Sequence, residues 1–123
     1  MASELVLSGL TIAFTKANVP SVSLSPASVS ITVSGNQIMD NVQAVGTSEE
    51  AILMGDVAAG GVCFFMNMDA TNFVELRSGT GATDFIRLNA GEWCLFRMSA
   101  DATAPFAIAD TAAVNLRCLR FDV

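Results

Sequence analysis

Short runs of Val, Ile, Leu and Phe recur along this chain at nearly even spacing, and each stops at a cluster of Gly, Pro, Ser, Asn or Asp. No helical period lasts beyond about two turns, which leaves β-strands as the elements such runs can form. The runs occupy residues 4–14, 28–33, 37–45, 51–54, 61–67, 72–77, 84–88, 92–98, 105–109 and 113–121. About nine or ten short strands predict an all-β fold, an antiparallel β-sandwich that is jelly-roll-like in order. A chain of 123 residues is expected to make one domain, 1–123. Turns are expected at Ala58-Ala59-Gly60, at Ser78-Gly79-Thr80-Gly81, at Asn89-Ala90-Gly91 and in the loop 99–104. Ser34-Gly35-Asn36 reads as a hairpin signal between two runs.

Alternation assigns faces. Val29, Ile31 and Val33 point one way, and Ser28, Ser30 and Thr32 the other, as in a half-solvated strand. Residues 62–66 have no polar face, nor do 93–96, so these strands are expected to be central or covered on both sides. In 113–121 the apolar phase shifts at Cys118-Leu119, for which a β-bulge is the simplest account. Residues 16–27 differ from the rest: Ser-rich, with Pro20 and Pro26 and no charge after Lys16. Proline removes ladder donors, so this stretch is expected to be an extended arm or edge segment.

Polarity is the unusual quantity. Charged residues make up 15% of the chain, apolar residues 52%, and mean hydropathy is +0.53. A lone globular domain carries about 25% charged residues, so this surface is expected either to be made largely of Ser, Thr, Asn and Gly or to be covered in part by other subunits. Histidine and tyrosine are absent, which removes His-based triads and imidazole metal ligands. Six basic residues against twelve acidic ones, with Lys16 the sole lysine, argue against nucleic acid as a partner. No stretch is apolar and long enough to cross a membrane, and no basic region followed by an apolar core marks a signal peptide. Synthesis in a cytosol is expected, with Cys63, Cys94 and Cys118 as thiols.

The motifs that carry chemistry elsewhere are missing or weak. The three cysteines form no CxxC pair, no histidine joins them, and their apolar neighbours read as core. Gly60-Gly61 and Gly79-Thr80-Gly81 precede no lysine, so they are turns and not phosphate loops. Glu49 and Glu50 are adjacent and in extended chain face opposite ways, which rules out a carboxylate pair and suits a solvated loop. Asp69-Ala70-Thr71-Asn72 with Glu75 is better read as an Asx-type turn than as a calcium site. No catalytic, cofactor or metal residue is expected, and an enzyme or ligand-binding barrel would have to rest on Asp69, Glu75 and the arginines.

Arg77, Arg87 and Arg97 each sit at or near the end of an apolar strand. If consecutive strands paired as hairpins, they would cluster with Glu75, Asp84 and Glu92, either as cross-strand ion pairs or as an interface that forks onto a partner's carboxylates.

Three stretches carry a resemblance. They are residues 45–56, opening Val45-Gly46-Thr47-Ser48-Glu49-Glu50-Ala51; Met68-Asp69-Ala70-Thr71-Asn72-Phe73-Val74-Glu75; and residues 88–97 with Asp110-Thr111-Ala112-Ala113-Val114. Together they resemble a family of small virion structural proteins of tailed bacteriophages, over about residues 45 to 121. Trp93 and Cys94 depart from it, standing where less bulky residues are common. The resemblance implies a virion component made in the bacterial host cytoplasm, with no catalytic residues. The expected function is a capsid cement or decoration protein that binds across subunits of the major capsid protein and stabilises the mature shell. The alternative is a tail or head–tail module: tube, adaptor or fibre. A homo-oligomer, dimer or trimer, is expected. The expected contact residues are Val19, Pro20, Val22, Leu24 and Pro26 on the arm, Glu49 and Glu50, and Arg77, Arg87 and Arg97.

Overall fold

The computed structural model describes residues 4–57, 60–100 and 102–123. Ala58, Ala59 and Asp101, expected in turns, lie outside the described residues. The described chain is all-β and antiparallel: β1 (Glu4–Leu7), β2 (Ile12–Lys16), β3 (Val19–Leu24), β4 (Val29–Thr32), β5 (Ile38–Val45), β6 (Glu50–Ala51), β7 (Gly61–Asn67), β8 (Val74–Arg77), β9 (Asp84–Leu88), β10 (Trp93–Met98), β11 (Phe106–Ala109) and β12 (Val114–Phe121). The chain divides into two compact units, Met1–Ser34 and Gly35–Val123.

The first unit is one long ribbon. β1 pairs β4 from Glu4↔Thr32 to Leu7↔Val29, and β2 pairs β3 from Ile12↔Leu24 to Phe14↔Val22. Residue i faces residue 36−i in both ladders, so a single register runs through an interruption at residues 8–11 and 25–28. The interruption coincides with Gly9, at φ 78°, and with Pro26, which has no N–H to donate. Ala17-Asn18 closes the tip, with Asn18 at φ 62°, a conformation asparagine tolerates. Beside it the pairing moves from Phe14↔Val22 to Lys16↔Val19, which puts one extra residue on the strand carrying Pro20. The stretch 16–27 therefore supplies the tip and the returning strand of a hairpin.

The second unit holds two four-stranded sheets, ordered β10-β7-β12-β5 and β6-β11-β8-β9. Only β8 and β9 pair as a chain-consecutive hairpin; every other consecutive strand from β5 to β12 crosses to the opposite sheet. Inward side chains of both sheets form one cluster, including Val45, Cys63, Phe65, Leu116 and Cys118 from the first and Val74, Leu76, Leu88, Ala107 and Ala109 from the second. Each fully buried large apolar side chain contributes roughly 1.5–3 kcal/mol. Gly61 is required where β7 meets the end of β12: its φ is 90°, and a Cβ there would stand 2.5 Å from the Phe121 carbonyl oxygen.

Several local expectations change. Ser34-Gly35-Asn36 does not close a hairpin, because β4 pairs β1 and β5 pairs β12. Gly35 instead donates its N–H to the Asp122 carbonyl at 3.1 Å. β12 has no bulge at Cys118-Leu119, since its register with β5 and β7 is unbroken. The apolar phase shifts there because Arg120 points inward and is 3% exposed, while Leu119 and Phe121 fall on the outer face. The Arg120 guanidinium donates to the Gly60 carbonyl through Nε at 3.1 Å and Nη2 at 2.6 Å, which offsets its burial. β7 is central, as expected, but β10 is an edge strand whose second face is open.

Candidate functional site

The turn after β8 and the segment entering β6 are joined by one carboxylate. Glu49 accepts hydrogen bonds from Thr80 Oγ1 at 2.7 Å, from the Gly81 N–H at 3.0 Å, and from Arg77, with which it also forms an ion pair. Arg77 forks between Glu49 and Asp84. The Thr80 hydroxyl, then the Arg77 guanidinium and the Gly81 N–H, hold the Glu49 carboxyl below its ordinary 4.5. Asp84 and Glu49 push the Arg77 guanidinium up in turn. Glu50 is engaged separately: it accepts from the Gly46 N–H at 3.1 Å and from Gln43 Nε2 at 2.9 Å. These side chains hold loops in place.

The arginines do not gather on one face. Arg87 stands opposite Glu75 in the β8–β9 ladder and lays its guanidinium 3.5 Å from the centre of the Phe73 ring. Arg97 lies in the other sheet, on β10, opposite Val62. Hairpin pairing of consecutive strands was the condition for the cluster, and here it holds for β8 and β9 alone among these strands.

The Asp69 loop is an Asx-type turn. Its carboxylate accepts from the Thr71 N–H at 3.0 Å and the Asn72 N–H at 2.6 Å, and these bonds draw its pKa below the usual value. Asn67 fastens that loop to the core. Fully buried, it donates from Nδ2 to the Asn72 carbonyl at 2.8 Å and the Leu88 carbonyl at 2.9 Å, and its Oδ1 accepts from the Asp69 N–H at 2.8 Å. Among the described residues, no group of three or more His, Cys, Asp or Glu side chains could hold a metal ion. The three cysteines are free thiols; burial pushes Cys63 up to about 11 and Cys118 up to about 12, and raises Cys94 as well.

Open apolar surface is what distinguishes this molecule. On the ribbon, Val6, Leu10, Ile12, Phe14, Val22 and Leu24 are each 43–55% exposed. The pairs Ile12↔Leu24 and Phe14↔Val22 place four of them on one face of the tip. The opposite side of the tip is small and polar, with Thr11 Oγ1 and Ser25 Oγ 3.4 Å apart. Of the arm residues expected to make contacts, Val22 and Leu24 lie on this face; Val19, Pro20 and Pro26 are also exposed. In the second unit, the outer face of β10-β7-β12-β5 exposes Ile38, Val42, Trp93 and Leu95, and the Trp93 ring stands 5.6 Å from that of Phe64. A cleft of about 410 Å³ also opens between the edge strands β9 and β10, lined by Phe85, Ile86, Phe96, Met98 and Pro105 among others. The outer sheet face was not among the sequence expectations. Its signal is the apolar run of 93–96 itself, once β10 is known to be an edge.

Comparison with family models, with curated proteins and with solved structures finds no match to this chain.

Proposed function

We propose that this chain is a non-enzymatic structural protein of a tailed-bacteriophage virion, a capsid cement or decoration protein that bridges neighbouring subunits of the mature shell. The observation that carries the reading is that each of the two units has its own open apolar face. A bridging protein needs two docking surfaces, and two weak contacts on a common lattice multiply into tight attachment. The strand order of the second unit supports it: β5-β12-β7-β10 beside β6-β11-β8-β9 follows two interlocked Greek keys, the order of an eight-stranded jelly roll. That architecture recurs in viral capsid proteins. The charge-poor composition and the resemblance to small virion proteins point the same way. Stabilisation is by linkage: a protein that binds the assembled shell and not its separated subunits shifts the equilibrium toward assembly.

The test is a count and a melt. Quantitative mass spectrometry of particles carrying this chain is expected to find copies on the order of hundreds, the stoichiometry of a lattice contact. Particles depleted of it are expected to release their DNA at a lower temperature. A copy number of a dozen or fewer would move the protein to the tail or the head–tail junction. Absence from purified particles, or unchanged heat resistance after depletion, would remove the cement role.

A further inference from the structure

We infer that β10 is a homotypic seam: its open edge pairs antiparallel with β10 of a second copy about a two-fold axis at Leu95, joining two β10-β7-β12-β5 sheets into one. The inference stands on this edge alone and survives if the virion reading fails.

The backbone supplies the contact. The Asn67 N–H donates to the Glu92 carbonyl at 2.9 Å, one pair beyond Trp93↔Met66 in the β10–β7 ladder. Alternation along an antiparallel ladder then turns the N–H and C=O groups of Cys94, Phe96 and Met98 toward β7. Those of Trp93, Leu95 and Arg97 face the open edge, and among the described residues no strand pairs with it. Open edges are commonly blunted by shortness, charge, proline, lysine or a bulge. β6 is two residues long, and β9 carries Asp84 and Arg87 and shifts register where Asp84 meets Arg77. β10 has none of these devices along Trp93–Phe96, and its register with β7 is unbroken over all six residues. At the other edge of the sandwich, Gln43 of β5 closes the gap between the sheets by bonding the Ala51 carbonyl at 3.0 Å and the Leu53 N–H at 2.9 Å. No such bond joins β9 to β10 among the described residues, and the cleft of about 410 Å³ opens there instead.

Side chains single out a second copy. β10 turns Trp93, Leu95 and Arg97 to the exposed side and Cys94, Phe96 and Met98 inward. Laid antiparallel on itself, the strand has one register that uses every open row: Trp93 opposite Arg97, Leu95 opposite Leu95, and Arg97 opposite Trp93, with two backbone bonds to each pair. Sliding by two residues leaves one row of each copy unpaired. Arg97 makes no hydrogen bond or ion pair among the described residues. In this register it lies against the half-exposed Trp93 ring of the other copy, a cation–π contact made twice per dimer. On the inner side, Cys94 meets Phe96 of the other copy beside the cleft. The strand is thus its own complement, which a partner of unrelated sequence would match only by accident. Each copy carries a net charge of −6, a repulsion that about 0.15 M salt screens beyond about 8 Å.

Sedimentation equilibrium on the full chain at that salt, with residue-resolved hydrogen exchange on the same samples, tests this. The wild type is expected to be a dimer at about 100 µM that dissociates on dilution toward about 1 µM. The Trp93, Leu95 and Arg97 amides are expected to exchange at least about threefold slower at the higher concentration, while Cys94 and Phe96, already bonded to β7, change little. Leu95→Glu and Leu95→Lys, at an exposed position, should each weaken self-association by more than about tenfold, because like charges would face each other across the axis. Mixed in equal amounts, the two variants should form a one-to-one dimer at least about tenfold tighter than either makes with itself. A wild type that is monomeric at about 100 µM overturns the inference. So does a trimer, a dimer whose Trp93, Leu95 and Arg97 amides exchange equally fast at both concentrations, or a mixture no tighter than its components. Should a charged variant fail to fold, the amide readout on the wild type decides by itself. A monomer in solution that is still present in particles at cement stoichiometry sinks this inference and leaves the cement role standing.

Discussion

Replacing Asn67 with leucine removes a buried hub at almost constant volume. Three side-chain hydrogen bonds vanish: two donated to the Asn72 and Leu88 carbonyls and one accepted from the Asp69 N–H. The Leu88 contact is fully buried, so no water replaces the lost donor at that carbonyl; the other two are part-buried and recover some solvation. At about 1–3 kcal/mol for each group left unsatisfied in the interior, and less for the two that water reaches, the loss comes to roughly 3–5 kcal/mol. A unit of this size has about 5–13 kcal/mol in all, and each kcal/mol moves its melting point by about 4–8 °C, so Asn67→Leu should melt at least about 12 °C below the wild type. Urea unfolding followed by the fluorescence of Trp93, the sole tryptophan, measures the difference. Asn67→Asp is the matched control. Its carboxylate would set an oxygen against the two carbonyls that the amide now satisfies, and that repulsion raises its folded-state pKa. A raised folded pKa favours the folded protein most at low pH, so the Asn67→Asp deficit should shrink on acidification and grow as pH rises through that pKa. An Asn67→Leu protein within about 1 kcal/mol of wild type, or an Asn67→Asp protein with no such pH dependence, would refute the view that this amide holds the 68–72 loop to the core.

Three further outcomes are expected. The Glu49 carboxyl, held below 4.5, contributes stability that is present above its unfolded pKa and lost as pH falls through the depressed folded value; Glu49→Gln should abolish that acid transition at Thr80 and Gly81, followed by amide chemical shifts. Arg120→Met should cost about 2–3 kcal/mol by leaving the Gly60 carbonyl without its charged donor, read as a lower urea midpoint at unchanged slope. With thiols pushed up to about 11 and 12, Cys63 and Cys118 should resist alkylation in the folded protein at pH 8 and react on denaturation, as peptide mapping by mass spectrometry would show.

Strand content was legible because a β-strand announces itself locally. Residues 61–67, 84–88 and 113–121, delimited by apolar runs and turn residues, reappear almost unchanged as β7, β9 and β12. The hairpin of the first unit was also locally encoded, in Asn18 and in the alternation Val22-Ser23-Leu24-Ser25, although the prolines read as a reason against a ladder. The glutamate and arginine roles were not legible. Whether Glu49 is a solvated loop residue or the tie between two loops depends on Thr80 and Gly81, about thirty positions away, and the chain between them says nothing of their distance in space.

By itself, then, the order of side chains determined the all-β class, the burial of Cys63 and Cys118 and the excess of apolar surface, because burial and turn formation are decided over a few residues. Only the tertiary structure decided that Ser34-Gly35-Asn36 joins two units instead of closing a hairpin, that Arg120 is drawn inward, and which apolar faces stay open. Those outcomes depend on which strands pair across long stretches of chain, and pairing energies are set by partners that no local window contains.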